Sequence, residues 1–251
     1  MLKARVVVCL DVRGGRVVKG THFKELRDVG DPVELAARYE AEGADEIVYL
    51  DISASHEGRG TLLDLVQRTA EVLFVPLTVG GGVRSVEDIG PLLRAGADKI
   101  SVNTAAVRDP GLLAEGARRF GSQCIVASVD AARDGHGSWR HWTHGGRTDT
   151  GLDAVAWAEE CARRGAGEIL LTSIDRDGAR AGYDLELTRA VADRVSVPVV
   201  ASGGAGEPGH LRAAFDDGHA SAALVAGILH DGITTVASLK TALRGWGVPV
   251  R

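Results

Sequence analysis

Aromatic side chains make up only 4% of this 251-residue sequence, so a folded core has to be assembled from Val, Ile, Leu and Ala rather than from rings. Cysteine is scarce too. Cys9, Cys124 and Cys161 are odd in number and none stands in C-x-x-C spacing, which argues against a disulfide framework or a thiolate zinc site. Positive charge is in deficit. The formal net charge is −5, against the basic face that general nucleic-acid binding needs to release counterions, though local basic pockets for small phosphorylated molecules remain open. No long hydrophobic run occurs: Met1–Arg5 leads into a short apolar segment, Val6–Leu10, that stops at Asp11. That is too little for a signal peptide or a membrane span, and the expected location is the cytoplasm. No GxxxxGKS/T is present, which weakens a nucleoside triphosphate reading, and no cofactor is called for.

What the sequence does contain is alternation. Short apolar runs at Arg5–Leu10, Glu46–Leu50, Phe74–Val79, Lys99–Val102, Cys124–Val129, Glu168–Thr172, Pro198–Ala201 and Ala222–Ala226 read as buried parallel strands. Amphipathic stretches separate them, among them Pro32–Glu42, Ser85–Ala95, Leu152–Arg164 and Glu207–Asp217. Asp31-Pro32 is a helix start, and Gly43, Gly96, Gly165 and Gly218 stand where left-handed C-caps want glycine. Eight strand–helix units in about 250 residues have the stoichiometry of a (β/α)8 TIM barrel, with a doubly wound open sheet as the rival. No Pro/Ser-rich linker divides the chain, so residues 1–251 are expected to form a single domain.

An internal repeat favours the closed barrel. Glu42–Ile47 resembles Arg164–Ile169 at an offset of 122, which also carries Gly81-Gly82 onto Gly203-Gly204, Gly96 onto Gly218, and Asn103-Thr104 onto Val225-Ala226. Asp11 and Asp130 end the first strand of each half, 119 apart. Two half-barrels, about 1–122 and 123–251, are expected.

In such a barrel function sits at the C-terminal ends of the strands. Asp11 and Asp130 face each other there, suited to general acid and base work; the plainer alternative is that each caps a loop. The turns at Gly80–Gly82 and Ser202–Gly204, completed by Asn103-Thr104 and Ala226-Gly227, expose backbone N–H groups that can hold two phosphates, although tight turns alone also favour glycine. Arg13–Gly20 is a basic, glycine-studded loop, either a lid carrying Lys19 or simply solvated. His141-x-x-His144, with His136 nearby, reads as a solvated loop rather than a metal site. Cys9 and Cys124 are expected inside strands. Arg5, Glu46, Lys99 and Glu168 stand at the N-terminal ends of strands, as a charged ring or as ordinary solubility charges.

Several segments together resemble one family over essentially the whole chain. They are Cys9–Val12 with Gly15–Gly20, Val79–Gly82, Asn103-Thr104, Gly121–Gln123, Leu171–Gly178 and Ala201–Gly206. The family is the cyclase subunit of imidazole glycerol phosphate synthase, from histidine biosynthesis. The resemblance implies a lyase that uses ammonia to close an imidazole ring on a bisphosphorylated ribulosyl-formimino-aminoimidazole-carboxamide ribonucleotide. It implies Asp11 and Asp130 as acid and base; Lys19, Asp51, Thr172, Asp177 and Gly178 at the mouth; and Gly81, Gly82, Asn103, Thr104, Gly203, Gly204, Ala226 and Gly227 on phosphates. It further implies an ammonia gate of Arg5, Glu46, Lys99 and Glu168, and a glutaminase partner docked near Asp98 and Gln123. Two positions depart from the family pattern: Ala179 stands in place of Thr, and Gly227 in place of Ser, which removes a hydroxyl from the second phosphate site. The competing readings are the sister isomerase of the same pathway and a non-catalytic bisphosphate-binding activator of a glutaminase.

Overall fold

A computed structural model describes residues 3–21, 24–52 and 59–251; Met1 and Leu2, part of the N-terminal stretch weighed above, lie outside it. The chain begins with β1 (Arg5–Arg13), which turns into an antiparallel hairpin of β2 (Arg16–Thr21) and β3 (Lys24–Gly30), then α1 (Pro32–Ala41). There follow β4 (Glu46–Asp51), α2 (Arg59–Ala70), β5 (Leu77–Gly80), α3 (Val86–Arg94), β6 (Lys99–Val102), α4 (Thr104–Arg108) and α5 (Gly111–Phe120). The second half opens with β7 (Ile125–Arg133), a hairpin of β8 (Trp139–Thr143) and β9 (Thr148–Asp153), and α6 (Ala154–Arg163). It closes with β10 (Glu168–Ser173), α7 (Leu185–Ala192), β11 (Val199–Ser202), α8 (Pro208–Asp216), β12 (Ala222–Val225), α9 (Gly227–His230) and α10 (Val236–Gly245).

The parallel strands run in the order β10-β11-β12-β1-β4-β5-β6-β7, and a β10–β7 pairing closes the ring. This is the (β/α)8 barrel expected from the alternation, and the open-sheet rival is excluded. Period-two side-chain direction splits the apolar residues into two cores. Val6, Val8, Ile47, Ile100, Ile169 and Val225 face the helices, whereas Val7, Cys9, Val48, Val126, Leu170 and Leu224 fill the barrel interior.

Local signals work as their chemistry requires. Asp31 caps α1, its carboxylate accepting from Val33 N at 2.9 Å and Glu34 N at 3.2 Å, with Pro32 in the first turn. Five expectations need correction. Phe74 is not in a strand: it is 94% exposed, and β5 starts at Leu77. Cys124 lies in a 3-10 turn rather than in a strand. Arg13–Gly20 is not a loop: Arg13 ends β1, Gly14-Gly15 make the turn, and the rest belongs to β2, where the β-branched pair Val17 and Val18 is buried. The stretch around His141 is likewise a hairpin, with His141 fully buried and stacked on Trp157. Finally, Gly218 is not left-handed. His219 takes that conformation at φ 56°, as Gly96 does at φ 110° in the first half. The turn before β12 thus holds one extra residue and the repeat offset becomes 123 beyond it. Asn103 therefore corresponds to Ala226, not to Val225, and their backbones agree: φ −127°, ψ −86° against φ −139°, ψ −78°.

Candidate active site

Along β1 the interior-facing residues are Arg5, Val7, Cys9 and Asp11, so one strand links the two ends of the barrel. At the C-terminal mouth, Asp11 lies 4.0 Å from Lys19 Nζ, and the Cys9 thiol points to its Oδ1 at 3.8 Å. Lys19 reaches Asp11 because β2 folds back antiparallel on β1 through the pairs Val12–Val17 and Arg13–Arg16. Burial raises the Asp11 pKa, the Lys19 ammonium opposes that, and the negative charge of Asp177 adds to it.

Asp130 occupies the corresponding level of β7. Burial pushes its pKa up to about 6, partly offset by the hydrogen bond that Asn103 Nδ2 donates to its Oδ2 at 2.9 Å; Asp177 again pushes upward. Asp177, from the turn after β10, thus acts on both carboxyls from the rim. Thr172 pairs in register with Asp130. The mouth therefore holds two largely buried carboxyl groups, each biased toward its protonated form, with one ammonium on the Asp11 side. Asp130, at about 6, can exchange a proton with a bound molecule near neutral pH.

The glycine turns flank this centre. Gly81 and Gly82 have φ 91° and 69°, Gly203 and Gly204 φ 88° and 107°. The constraint is the same in both halves: a Cβ on Gly81 would stand 2.1 Å from Asp51 O, and one on Gly203 2.6 Å from Ser173 O. Asn103 precedes α4 and Ala226 precedes α9, completing each turn. Thr104 Oγ1 accepts from His144 N at 3.1 Å, so the second hairpin leans on the first-half turn. Gly178 lies exposed in the turn that carries Asp177. At the other turn a Cβ on Gly227 would meet Lys19 Cε at 3.5 Å, an ordinary contact.

At the opposite end Arg5, Glu46, Lys99 and Glu168 make a closed ring of four ion pairs. Arg5 binds Glu46 at 2.9 Å and also Glu168; Lys99 binds Glu46 at 2.8 Å and Glu168 at 2.7 Å. Thr78 Oγ1 donates to Glu46 Oε1 at 2.6 Å, adding a neutral partner. Asp98 and Gln123 are exposed just outside this end, Asp98 accepting from Leu77 N at 2.8 Å. Among the described residues no group of three or more His, Cys, Asp or Glu could hold a metal ion.

The family model described as histidine biosynthesis protein matches residues 5–235. The chain belongs to that family. It is 69% identical over 251 residues to the imidazole glycerol phosphate synthase subunit HisF of Myxococcus xanthus (strain DK1622), covering all of this chain and 99% of that protein. The same-named subunit of Caulobacter vibrioides (strain NA1000 / CB15N) is 58% identical over 252 residues, covering 100% and 97%. That of Synechococcus sp. (strain CC9605) is 59% identical over 255 residues, covering 100% of both.

Within this family member, several mouth residues had no sequence signal. Asp231 binds both Arg27, from β3, and Arg180, from the turn after β10. His230 bridges Tyr39 Oη at 2.7 Å and Cys9 O at 3.1 Å, tying α9 to α1 and β1; burial lowers its pKa to about 4, leaving it neutral. Isolated Arg, Asp and His residues in polar turns look like solvated ones until the barrel closes. Only then do positions about 200 residues apart become neighbours.

Proposed function

We propose that this chain is the ammonia-using cyclase subunit of imidazole glycerol phosphate synthase, a lyase. It converts the phosphoribulosyl-formimino-aminoimidazole-carboxamide ribonucleotide to imidazole glycerol phosphate and the aminoimidazole-carboxamide ribonucleotide. The observation that carries the reading is the pair of largely buried carboxyls with raised pKa, Asp11 and Asp130, set between two matched glycine turns. Two such turns, one in each half, suit a substrate with a phosphate at each end, held by backbone N–H groups of Gly81, Gly82, Asn103, Thr104, Gly203, Gly204, Ala226 and Gly227. Lys19, Asp51, Thr172, Asp177 and Gly178 line the space between. Asp11 and Asp130 move protons as ammonia adds and the imidazole ring closes, one accepting where the other donates.

Ammonia arrives from a glutaminase subunit docked at the barrel's N-terminal end, against Asp98 and Gln123. It enters through the Arg5–Glu46–Lys99–Glu168 ring and passes the apolar interior formed by Val7, Val48, Val126 and Leu170. The chain acts as one domain of two half-barrels, a reading supported by the shared backbone constraint at Gly81 and Gly203. Among the described residues no helix is long and apolar enough to cross a membrane, which accords with a cytoplasmic site of action.

The test is to incubate the purified chain with the ribulosyl substrate and ammonium salt, without a partner. The expected result is ammonia-dependent substrate loss that falls about 10²–10⁴-fold in Asp11→Asn. Full turnover in Asp11→Asn rejects the acid–base assignment. Binding without turnover favours the activator reading. Loss of the earlier aldose substrate without ammonia favours the sister isomerase.

A further inference from the structure

Trp142 lies opposite Asp130 in the β7–β8 pairing, and directly opposed residues of an antiparallel pair project to the same face. Asp130 faces the barrel interior, so Trp142 does as well. The neighbouring pair confirms the alternation: His141, opposite Ala131, projects outward and stacks on Trp157 of α6. Trp142 is thus half-buried at the mouth beside Asp130. Its indole Nε1 is fully enclosed and has no hydrogen-bond partner.

A second unpartnered atom belongs to the same cluster. Asn103 Nδ2 donates to Asp130 Oδ2 at 2.9 Å and to the backbone oxygen of Trp142 at 3.2 Å. The backbone oxygen only accepts, which fixes the amide nitrogen on that side and leaves Asn103 Oδ1 turned away. That oxygen is enclosed and unpartnered too. Buried polar groups are nearly always paired, and leaving one bare weakens the fold. One enclosed donor and one enclosed acceptor, on residues joined by the Asn103–Trp142 hydrogen bond, suit a group offering an acceptor and an N–H together. Phosphate does not fit, since its oxygens would oppose Asn103 Oδ1.

We propose that Trp142 Nε1–H and Asn103 Oδ1 bind the carboxamide of the substrate, the carbonyl accepting from the indole and the amide N–H donating to Asn103. The inference rests on the function proposed above and adds a residue that reads the heterocycle rather than its phosphates.

Only one product, the aminoimidazole-carboxamide ribonucleotide, retains the carboxamide, so product inhibition isolates the contact. Trp142→Phe keeps a ring and removes the N–H. The expected result is an inhibition constant about tenfold higher for the carboxamide product, with that for imidazole glycerol phosphate and the melting temperature unchanged. Equal shifts for both products, or no shift for either, overturn the proposal. An independent readout uses the unaltered chain: its four tryptophans give four indole N–H resonances. That of Trp142, identified by Phe replacement of each tryptophan in turn, should move on adding the carboxamide product and not on adding imidazole glycerol phosphate. An unmoved resonance rejects the contact even if Trp142→Phe fails to fold. Ammonia-dependent turnover by the unaltered chain checks the parent reading: if it is present and the indole does not respond, this inference alone fails. If turnover is absent, both fail.

Discussion

A carboxyl group that holds its proton more tightly in the folded chain than in the unfolded one makes stability depend on pH in a fixed direction. Asp130 sits at about 6 against an unfolded value of about 3.9. The stabilising contribution is therefore complete below pH 4 and is lost as pH rises through 6, because above that point a charge is buried near Asp177. Asp130→Asn keeps an acceptor for Asn103 Nδ2 and removes the charge. Its melting temperature is expected to exceed that of the parent chain by about 3 °C or more at pH 8, a gap that closes by pH 4; an equal gap at both values refutes the buried-charge account. Gly227 opens α9. It has the room that Gly81 lacks, since its Cβ position meets only flexible ends of Lys19 and Arg180. Gly227→Ser should fold unchanged and lower the KM for the bisphosphate substrate about threefold to tenfold by adding one hydroxyl donor; an unchanged KM sinks the idea that this position limits phosphate binding. Asp11 and Asp130 were legible in the sequence because a carboxylate ending an apolar strand has one obvious place to be. Trp142 was not, because its flanking Gly, His and Arg residues read as a solvated loop. Only pairing with β7 decides that it points inward.

The same difference separates the elements. Barrel strands and capped helices announce themselves through apolar runs and Asp-Pro or Gly boundaries, since those signals act within a few residues. The two hairpins do not. Each exists because the strand beneath it projects beyond the barrel rim and offers unpaired backbone for β2 or β8 to join. The first hairpin is held at its root by two pairs with β1, and across its face by the Arg27–Asp231 contact, with Arg16–Asp28 inside it at 3.0 Å. Arg27 is more than half exposed, so its ion pair adds little to global stability but restrains where Lys19 sits. Asp231→Ala is accordingly expected to change the melting temperature by less than about 2 °C, while backbone amides of 16–21 and 24–30 exchange faster and the KM rises several-fold. Unchanged exchange in those two segments would show that the barrel root alone sets the hairpin. The repeat register shifts through an equally local change. One residue added before β12 leaves the composition of the turn looking the same, and only the left-handed backbone at His219 reveals where the insertion was absorbed.

At the scale of the whole molecule, the barrel is a tube whose two ends carry opposite kinds of buried charge chemistry. The mouth holds carboxyls whose pKa burial raises, whereas the far end pairs two cations with two anions so that none is left over. Glu46 and Glu168 expose only 4% and 7% of their side chains, and both depend on Lys99 and Arg5 for compensation. Lys99→Met removes half of that compensation, leaving a buried carboxylate excess that costs about 3 kcal/mol above the carboxylate pKa range. It also replaces a charged closure with an uncharged chain of similar length. If the ring meters ammonia from a docked glutaminase, two consequences separate the gate from a purely structural plug. Turnover with ammonium salt, which can reach the mouth directly, should be kept within about twofold once the lower stability is allowed for by assaying well below the melting transition. Turnover with glutamine and the partner should fall, with more glutamine hydrolysed than imidazole product formed. A Lys99→Arg control restores the positive charge and should recover the coupling in part, because the planar guanidinium still reaches both carboxylates but in a different geometry. If Lys99→Met still forms one product for every glutamine consumed, the ring stabilises the barrel floor and has no part in passing ammonia.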